Sequence, residues 1–368
     1  MSKNNIISPE EFLNQCVKRQ IPFVTFKLPG ENEIISYVQN NSQLNIIRSF
    51  DKIENNKGFL FSPFQINKEN PCFIISPDIK INGENYRMDL IPENINIVHK
   101  SQISTYISTS KKEYVNNVKH SIEIINKNEA DKIIISRILK TEIKKSLSTY
   151  KIFKLLCEKY PTAFKYFLYH PEIGFWMGAS PEQLVNLDNN KIEIVALAGT
   201  QKNYNQGIIN VRWNEKEIEE QEIVSKFIYN CLINNDLQNI TFDNAETAQA
   251  GNLFHLKTIF NATLNKNFKL DSLLNDLHPT PAVCGLPKEK SRKIINELES
   301  HNREYYCGFF GPVNHRNNIN LFVNLRCMKI IDNKAILFVG GGITKDSIPE
   351  DEWQETVEKS KTLSSVIF

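Results

Sequence analysis

The sequence predicts an α+β protein with mainly antiparallel sheets, built as one large domain. Strand-like segments such as 321-LFVNLRCMKI-330 and 335-AILFVG-340 follow one another with no helix between them, whereas a doubly wound parallel sheet needs a crossover helix each time. Segments of helical periodicity are scattered irregularly among them. No long Pro/Gly/Ser linker and no internal repeat marks a boundary within the 368 residues.

The elements follow in order. At 8-SPEE-11 a serine suited to cap a helix precedes a proline suited to its first position, with a glutamate three residues on. Short apolar runs, 22-PFVTF-26 and 58-GFLFSPF-64, alternate with Asn- and Lys-rich turns and read as strands and hairpins up to about residue 105. KKEYVNNVKHSIEIINK has helical spacing, and 133-IIIS-136 is β-branched and short enough for a buried strand. Further strands are expected at 163-AFKYFLY-169 and 192-IEIVAL-197, and helices at about 213–234, 287–298 and 350–364. The segment 180-SPEQ-183 has the same local chemistry as 8-SPEE-11, so on local grounds Glu182 reads as a residue of a second helix start.

Composition narrows the function. Hydrophobic residues make up 41% and charged residues 23%, and a net charge of +2 gives no field that would favour nucleic acid or a membrane surface. A small, discrete ligand is the expected partner. Seven scattered cysteines, with no C-x-x-C and no zinc spacing, read as buried thiols of a reducing compartment. With neither a signal-like N-terminus nor a membrane-length apolar run, the expectation is a cytoplasmic protein.

Several segments carry candidate chemistry. Glu352, Glu355 and Lys359 share one face of the last helix, downstream of 340-GGGIT-344, whose glycines suggest a binding turn. A second acidic helix, 213-WNEKEIEEQEIV-224, offers carboxylates, and one from each helix could share a hard cation such as Mg²⁺. Spacing alone leaves the pair open. Lys132 opens a buried strand, where a lysine can act as a base. His278 lies in the proline-stiffened loop 277-LHPTPAVCGLP-287. Nothing matches a phosphate loop, a dinucleotide fingerprint or a G-x-S-x-G elbow.

KIIISR, GASPEQL, ALAGT, EKEIEEQ, LHPTPAVCGLP, NREYYCGFFG, NLRC, GGGIT and EWQETVEK, taken in this order over residues 115–365, resemble the chorismate-utilising enzymes. The resemblance implies a single domain of two packed sheets flanked by helices, with residues 1–105 as a divergent N-terminal part. Within the family the chain is similar to the isochorismate synthases, which add water at one ring carbon of chorismate and expel a hydroxyl from another. The family pattern makes Lys132 the base and Glu182 the acid, with Glu220 and Glu355 as ligands of Mg²⁺ and Glu352 behind them. It places Gly199, Thr200, His278, Tyr306, Arg326, Gly341, Gly342 and Lys359 around the substrate. Ala198 stands where a relative that works through a covalent lysine carries that lysine, and Lys132 stands where ammonia-using relatives carry Gln. Both point to water as nucleophile.

Gln221 departs from the His that commonly follows the metal-binding Glu. A monomer without a glutaminase subunit is expected, and the pathway stays open among menaquinone, siderophore and salicylate formation, with menaquinone preferred. Two other readings compete: a salicylate synthase that goes on to eliminate pyruvate, and a non-catalytic chorismate-binding sensor or partner subunit.

Overall fold

The computed structural model describes residues 6–93, 105–202, 211–250, 253–315 and 318–368. Those parts of the N-terminal reading that fall on residues 1–5 and 94–104 lie outside the described residues. Two sheets carry the chain. The nine-stranded sheet runs in the order Gly285–Leu286, Lys132–Glu142, Lys334–Ile343, Cys327–Ile331, Gly174–Ser180, Phe164–His170, Phe23–Lys27, Ile35–Val38 and Ile79–Asn82. The ten-stranded sheet runs Gln238–Phe242, Leu253–Thr263, Lys191–Lys202, Gln183–Asp188, Asn318–Val323, Phe309–Asn314, Lys57–Ser62, Phe73–Ile75 and Asn45–Ile46, with Glu246–Ala250 also paired to Leu253–Thr263. Every pairing between these strands is antiparallel. The α+β class and the two packed antiparallel sheets are as expected.

Side-chain alternation explains how the sheets pack. Along Phe164–His170 every residue is buried, because Phe164, Tyr166 and Leu168 enter the core shared by both sheets while Phe167 and Tyr169 enter a second core. The shared core is aromatic: Phe61 of the ten-stranded sheet lies 5.6 Å from Tyr166 and 6.1 Å from Trp176 of the other, and stacks at 4.6 Å on Tyr305. The second core lies under the helices Pro9–Lys18, Thr149–Lys159 and Pro349–Ile367, to which Phe12, Phe153 and Leu363 belong. The stretch without family motifs is structural. It supplies three strands to each sheet, so the sheets are not complete without it.

Four expectations change. Ser8 does cap a helix, accepting from the Glu11 amide at 3.1 Å with Pro9 at the first position. Ser180 does not: it ends the strand Gly174–Ser180, and Gln183 begins the next. The run 321–330 is two strands, Asn318–Val323 and Cys327–Ile331, in different sheets. Gly340, Gly341 and Gly342 form no turn; they lie inside Lys334–Ile343, paired with Ser136, Ile135 and Ile134. Finally, the helices Thr149–Lys159, capped by Ser148, and Leu270–Leu277 went unread in the sequence.

Candidate active site

The chain passes between the sheets twice at one place. Pro181 and Glu182 join Gly174–Ser180 to Gln183–Asp188, and Asn324–Arg326 joins Asn318–Val323 to Cys327–Ile331. The two crossings are bonded side by side. Val323 N–H donates to the Glu182 carbonyl (2.9 Å), Ser180 Oγ donates to the Val323 carbonyl (2.5 Å), and Ala179 N–H donates to the Arg326 carbonyl (3.0 Å). A sheet corner cannot continue its ladder, so these bonds satisfy the backbone that the crossings expose. Glu182 and Arg326 are thereby fixed as neighbours at the head of a cleft enclosing about 650 Å³, mouth included.

Glu182 is 4% exposed, and burial pushes its carboxyl up to about 8 against the opposing pull of Lys132, Lys359 and Arg326. It therefore holds its proton at neutral pH. Arg326, in a left-handed backbone conformation (φ 48°), is buried with Nη1 unpartnered, a guanidinium that has room for an anion. Lys359 reaches the same cleft and donates to the Gly340 carbonyl at 3.1 Å.

Across the cleft, Gly199 (φ 68°) makes a bulge in Lys191–Lys202, where the pairing with Leu253–Thr263 skips between Ala198 and Thr200. Beside the bulge lies His255, a residue that the sequence reading missed. Its Nδ1 is 3.0 Å from the Gly199 carbonyl and 3.3 Å from Thr200 Oγ1, and burial, with Arg326 and Lys359 adding to it, pushes the ring down to about 3. The ring is neutral, and donating from Nδ1 to Gly199 leaves Nε2 as a bare acceptor, buried and unpartnered. Tyr306, stacked on Phe338 at 5.6 Å, completes the wall with Gly341 and Gly342.

The carboxylates meet the glycine strand from two helices. Glu220 comes from Glu215–Asn234, while Glu352 and Glu355 come from Pro349–Ile367. A Cβ on Gly342 would lie 2.5 Å from Glu220 Oε1, and one on Gly341 would lie 3.1 Å from Glu352 Oε2 and 3.6 Å from Glu355 Oε1. A side chain at Gly342 would collide with Glu220 and one at Gly341 would crowd Glu352, while Glu355 lies at ordinary contact distance. Each is paired: Glu220 Oε1 with Lys132 Nζ at 2.9 Å, Glu355 Oε1 with Lys359 Nζ at 2.5 Å, and Glu352 Oε1 with Lys216 Nζ at 2.6 Å. Burial and the neighbouring Glu355 push Glu352 up to about 7, Lys216 opposing, whereas at Glu355 burial is outweighed by Lys359, Lys216 and Arg326 together, which hold it below the ordinary carboxylate value. Lys132 is fully buried and lies beneath Gly342 rather than on the cleft wall.

Among the described residues no group of three His, Cys, Asp or Glu side chains is gathered as metal ligands. The fit to Mg²⁺ rests instead on oxygen donors: Glu220 and Glu355 face the glycine strand from two helices, and Glu352 Oε2 is buried without a partner. Mg²⁺ commonly takes one or two protein carboxylates and leaves other positions to water and substrate, so this donor set suits it. Gln221, in the place of the expected His, donates from Nε2 to the Ala196 carbonyl and to Thr258 Oγ1, both at 3.2 Å, and pins the helix of Glu220 to the sheet.

His278 falls outside this cleft. Its Nε2 lies 3.2 Å and 3.3 Å from the Pro63 and Phe64 carbonyls and its ring packs on Phe309, so it holds a loop rather than faces the cleft. The other named residues converge. All seven cysteines are buried and free, and among the described residues no helix is long and apolar enough to cross a membrane.

A family model described as chorismate binding enzyme matches residues 30–368. The isochorismate synthase EntC of Escherichia coli (strain K12) is 27% identical over 244 residues, which cover 65% of this chain and 62% of that protein. Anthranilate synthase component 1 of Aquifex aeolicus is 26% identical over 266 residues, 70% of this chain and 53% of that protein. The chain thus matches less than two thirds of the length of these relatives. In structure it is similar to MenF, the menaquinone-specific isochorismate synthase from Escherichia coli, with a TM-score of 0.78 at 19% identity over 95% of this chain and 89% of that chain. With the family model covering nearly all of its length, the chain belongs to the chorismate-binding enzymes.

Proposed function

We propose that the protein is an isochorismate synthase that adds water to one ring carbon of chorismate and expels the hydroxyl from another. The observation that carries the reading is the Glu182 carboxyl, buried at the cleft and held protonated by burial up to about 8. Hydroxide is a poor leaving group, and a proton delivered to it lowers the barrier; such help is typically worth about 10² to 10⁴ in rate. Glu182 gives that proton to the departing hydroxyl. Lys132, behind Gly342 at the edge of the cleft, would in its uncharged amine form take a proton from the attacking water. One water enters and one leaves, so the product is an isomer.

Two carboxylates of the substrate need two sites. Arg326, with its unpartnered Nη1, and Lys359 receive one. The other turns to the wall of Gly199, Thr200, Gly341 and Gly342, where Glu220 and Glu355 would hold Mg²⁺ with Glu352 behind them. Bound there, the ion would supply positive charge to fix the ring carboxylate. The acceptor Nε2 of His255 suits a substrate hydroxyl, and Ala198 leaves no lysine for a covalent route.

Purified protein supplied with chorismate and Mg²⁺ is expected to yield isochorismate. Salicylate with pyruvate would mean that elimination follows, anthranilate on addition of ammonium would move the protein to the ammonia-using relatives, and bound but unchanged chorismate would overturn the enzymatic reading.

A further inference from the structure

Lys216 has no part in the chemistry above, yet it is engaged with the same carboxylates. From the start of Glu215–Asn234 its ammonium crosses to Pro349–Ile367 and donates to Glu352 Oε1 at 2.6 Å, where Ser347 Oγ also donates at 2.7 Å. Glu352 is 1% exposed, and its free Oε2 points to the place that a Cβ on Gly341 would fill. Of the three lysines paired with the three carboxylates, Lys132 and Lys359 have roles toward water or substrate. Lys216 has only its carboxylate.

Resting on the reading of this cleft as a cation and chorismate site, we propose that Lys216 is a built-in counter-ion, a positioning residue that neutralises Glu352 while no metal is bound and so disfavours a lone divalent cation. Charge balance gives the reason. With each carboxylate already matched by one lysine, a divalent ion arriving alone meets three ammonium groups in a poorly solvated space, where like charges interact strongly. A dianion arriving alone finds Arg326 for one carboxylate, but its other carboxylate meets the three carboxylates of the protein. Arriving together they add no net charge, so each strengthens the binding of the other, and the coupling is reciprocal. Lys216 is the member of this arrangement that can be removed without touching substrate, acid or base.

Calorimetric titration of the full chain with Mg²⁺, without chorismate and in mildly alkaline buffer, tests the proposal. Lys216→Met should bind Mg²⁺ about tenfold more tightly than the wild type, within the ordinary range of coupling between sites. Lys216→Gln, which keeps a neutral donor to Glu352, should also tighten it and serves should Lys216→Met fail to fold. Lys216→Arg keeps the charge and should stay near the wild type, and Ser347→Ala should bring no tightening. With chorismate present in a Glu182→Gln background, the gain from Lys216→Met should shrink. A merely structural lysine predicts the opposite sign, so unchanged or weaker Mg²⁺ binding in both neutral variants overturns the proposal. If no chain binds Mg²⁺ with or without chorismate, the cation reading itself falls, a result distinct from binding that is insensitive to Lys216.

Discussion

Ser180 Oγ donates to the Val323 carbonyl at 2.5 Å, tying the crossing that carries Glu182 to the crossing that leads to Arg326. The bond spans the junction of two sheets. Ser180→Ala removes one of the two donors to that carbonyl, which keeps the Leu325 N–H at 2.9 Å, at a cost of about 0.5 to 1.5 kcal/mol. Denaturant unfolding should show this loss, and kcat should fall because the acid and the guanidinium lose their shared anchor. An unchanged unfolding midpoint would deny the bond its structural role.

Glu182→Gln keeps the shape of the site and removes the proton, so turnover of chorismate should drop by about 10² to 10⁴ while substrate binding persists. The wild-type rate should also fall as pH rises through about 8, where the carboxyl ionises. The sign for stability follows the same shift. The folded value lies above the ordinary 4.5, so the native state holds the extra proton between 4.5 and about 8, and this contribution to stability fades as pH rises through that window. In Glu182→Gln, unfolding measured against pH should lose this slope.

Much of this was legible in the residues, and what was not has a physical cause. The order of the motifs pointed to Lys132, Glu182, Glu220, Arg326, Glu355 and Lys359, which the fold brings into one region. The break at Asn324–Arg326 was hidden because the strand ends on either side of it, 321–323 and 327–330, are buried without alternation, so the run shows no change of period where it changes sheet. Ser180 looked like a helix cap because its true partner, Val323, is distant in sequence. His255 sits inside an apolar strand, and only its register opposite Thr200 brings it to the cleft. His278 misled in the other direction: its stiff loop aims the ring at two backbone carbonyls.

The two histidines should therefore separate cleanly. His278→Leu removes a donor from the Pro63 and Phe64 carbonyls and should cost about 1 to 3 kcal/mol of stability with KM for chorismate near the wild-type value. His255→Leu removes the buried acceptor Nε2 from the cleft and should raise KM. Thermal melts should register both variants, since His255 Nδ1 also donates to the Gly199 carbonyl, so the separation lies in the steady-state kinetics, and a raised KM in His278→Leu would return that residue to the site.

Gly342→Ala tests the glycine cradle without altering any charged group. Its Cβ would stand 2.5 Å from Glu220 Oε1 and 2.9 Å from Lys132 Cε, so the pair that meets there must separate or the strand must shift. Neither end yields easily, because Gln221 pins the helix of Glu220 and Lys132 lies in a fully buried strand start. A displacement of about 1 Å at a reacting group can cost on the order of 10² in rate. Gly341→Ala is the milder change, since its nearest neighbour, Glu352 Oε2, is 3.1 Å away rather than 2.5 Å. Turnover should fall by about 10² in Gly342→Ala and less in Gly341→Ala. The reverse order would mean that the crowding at Glu220 is not what ties this strand to the chemistry.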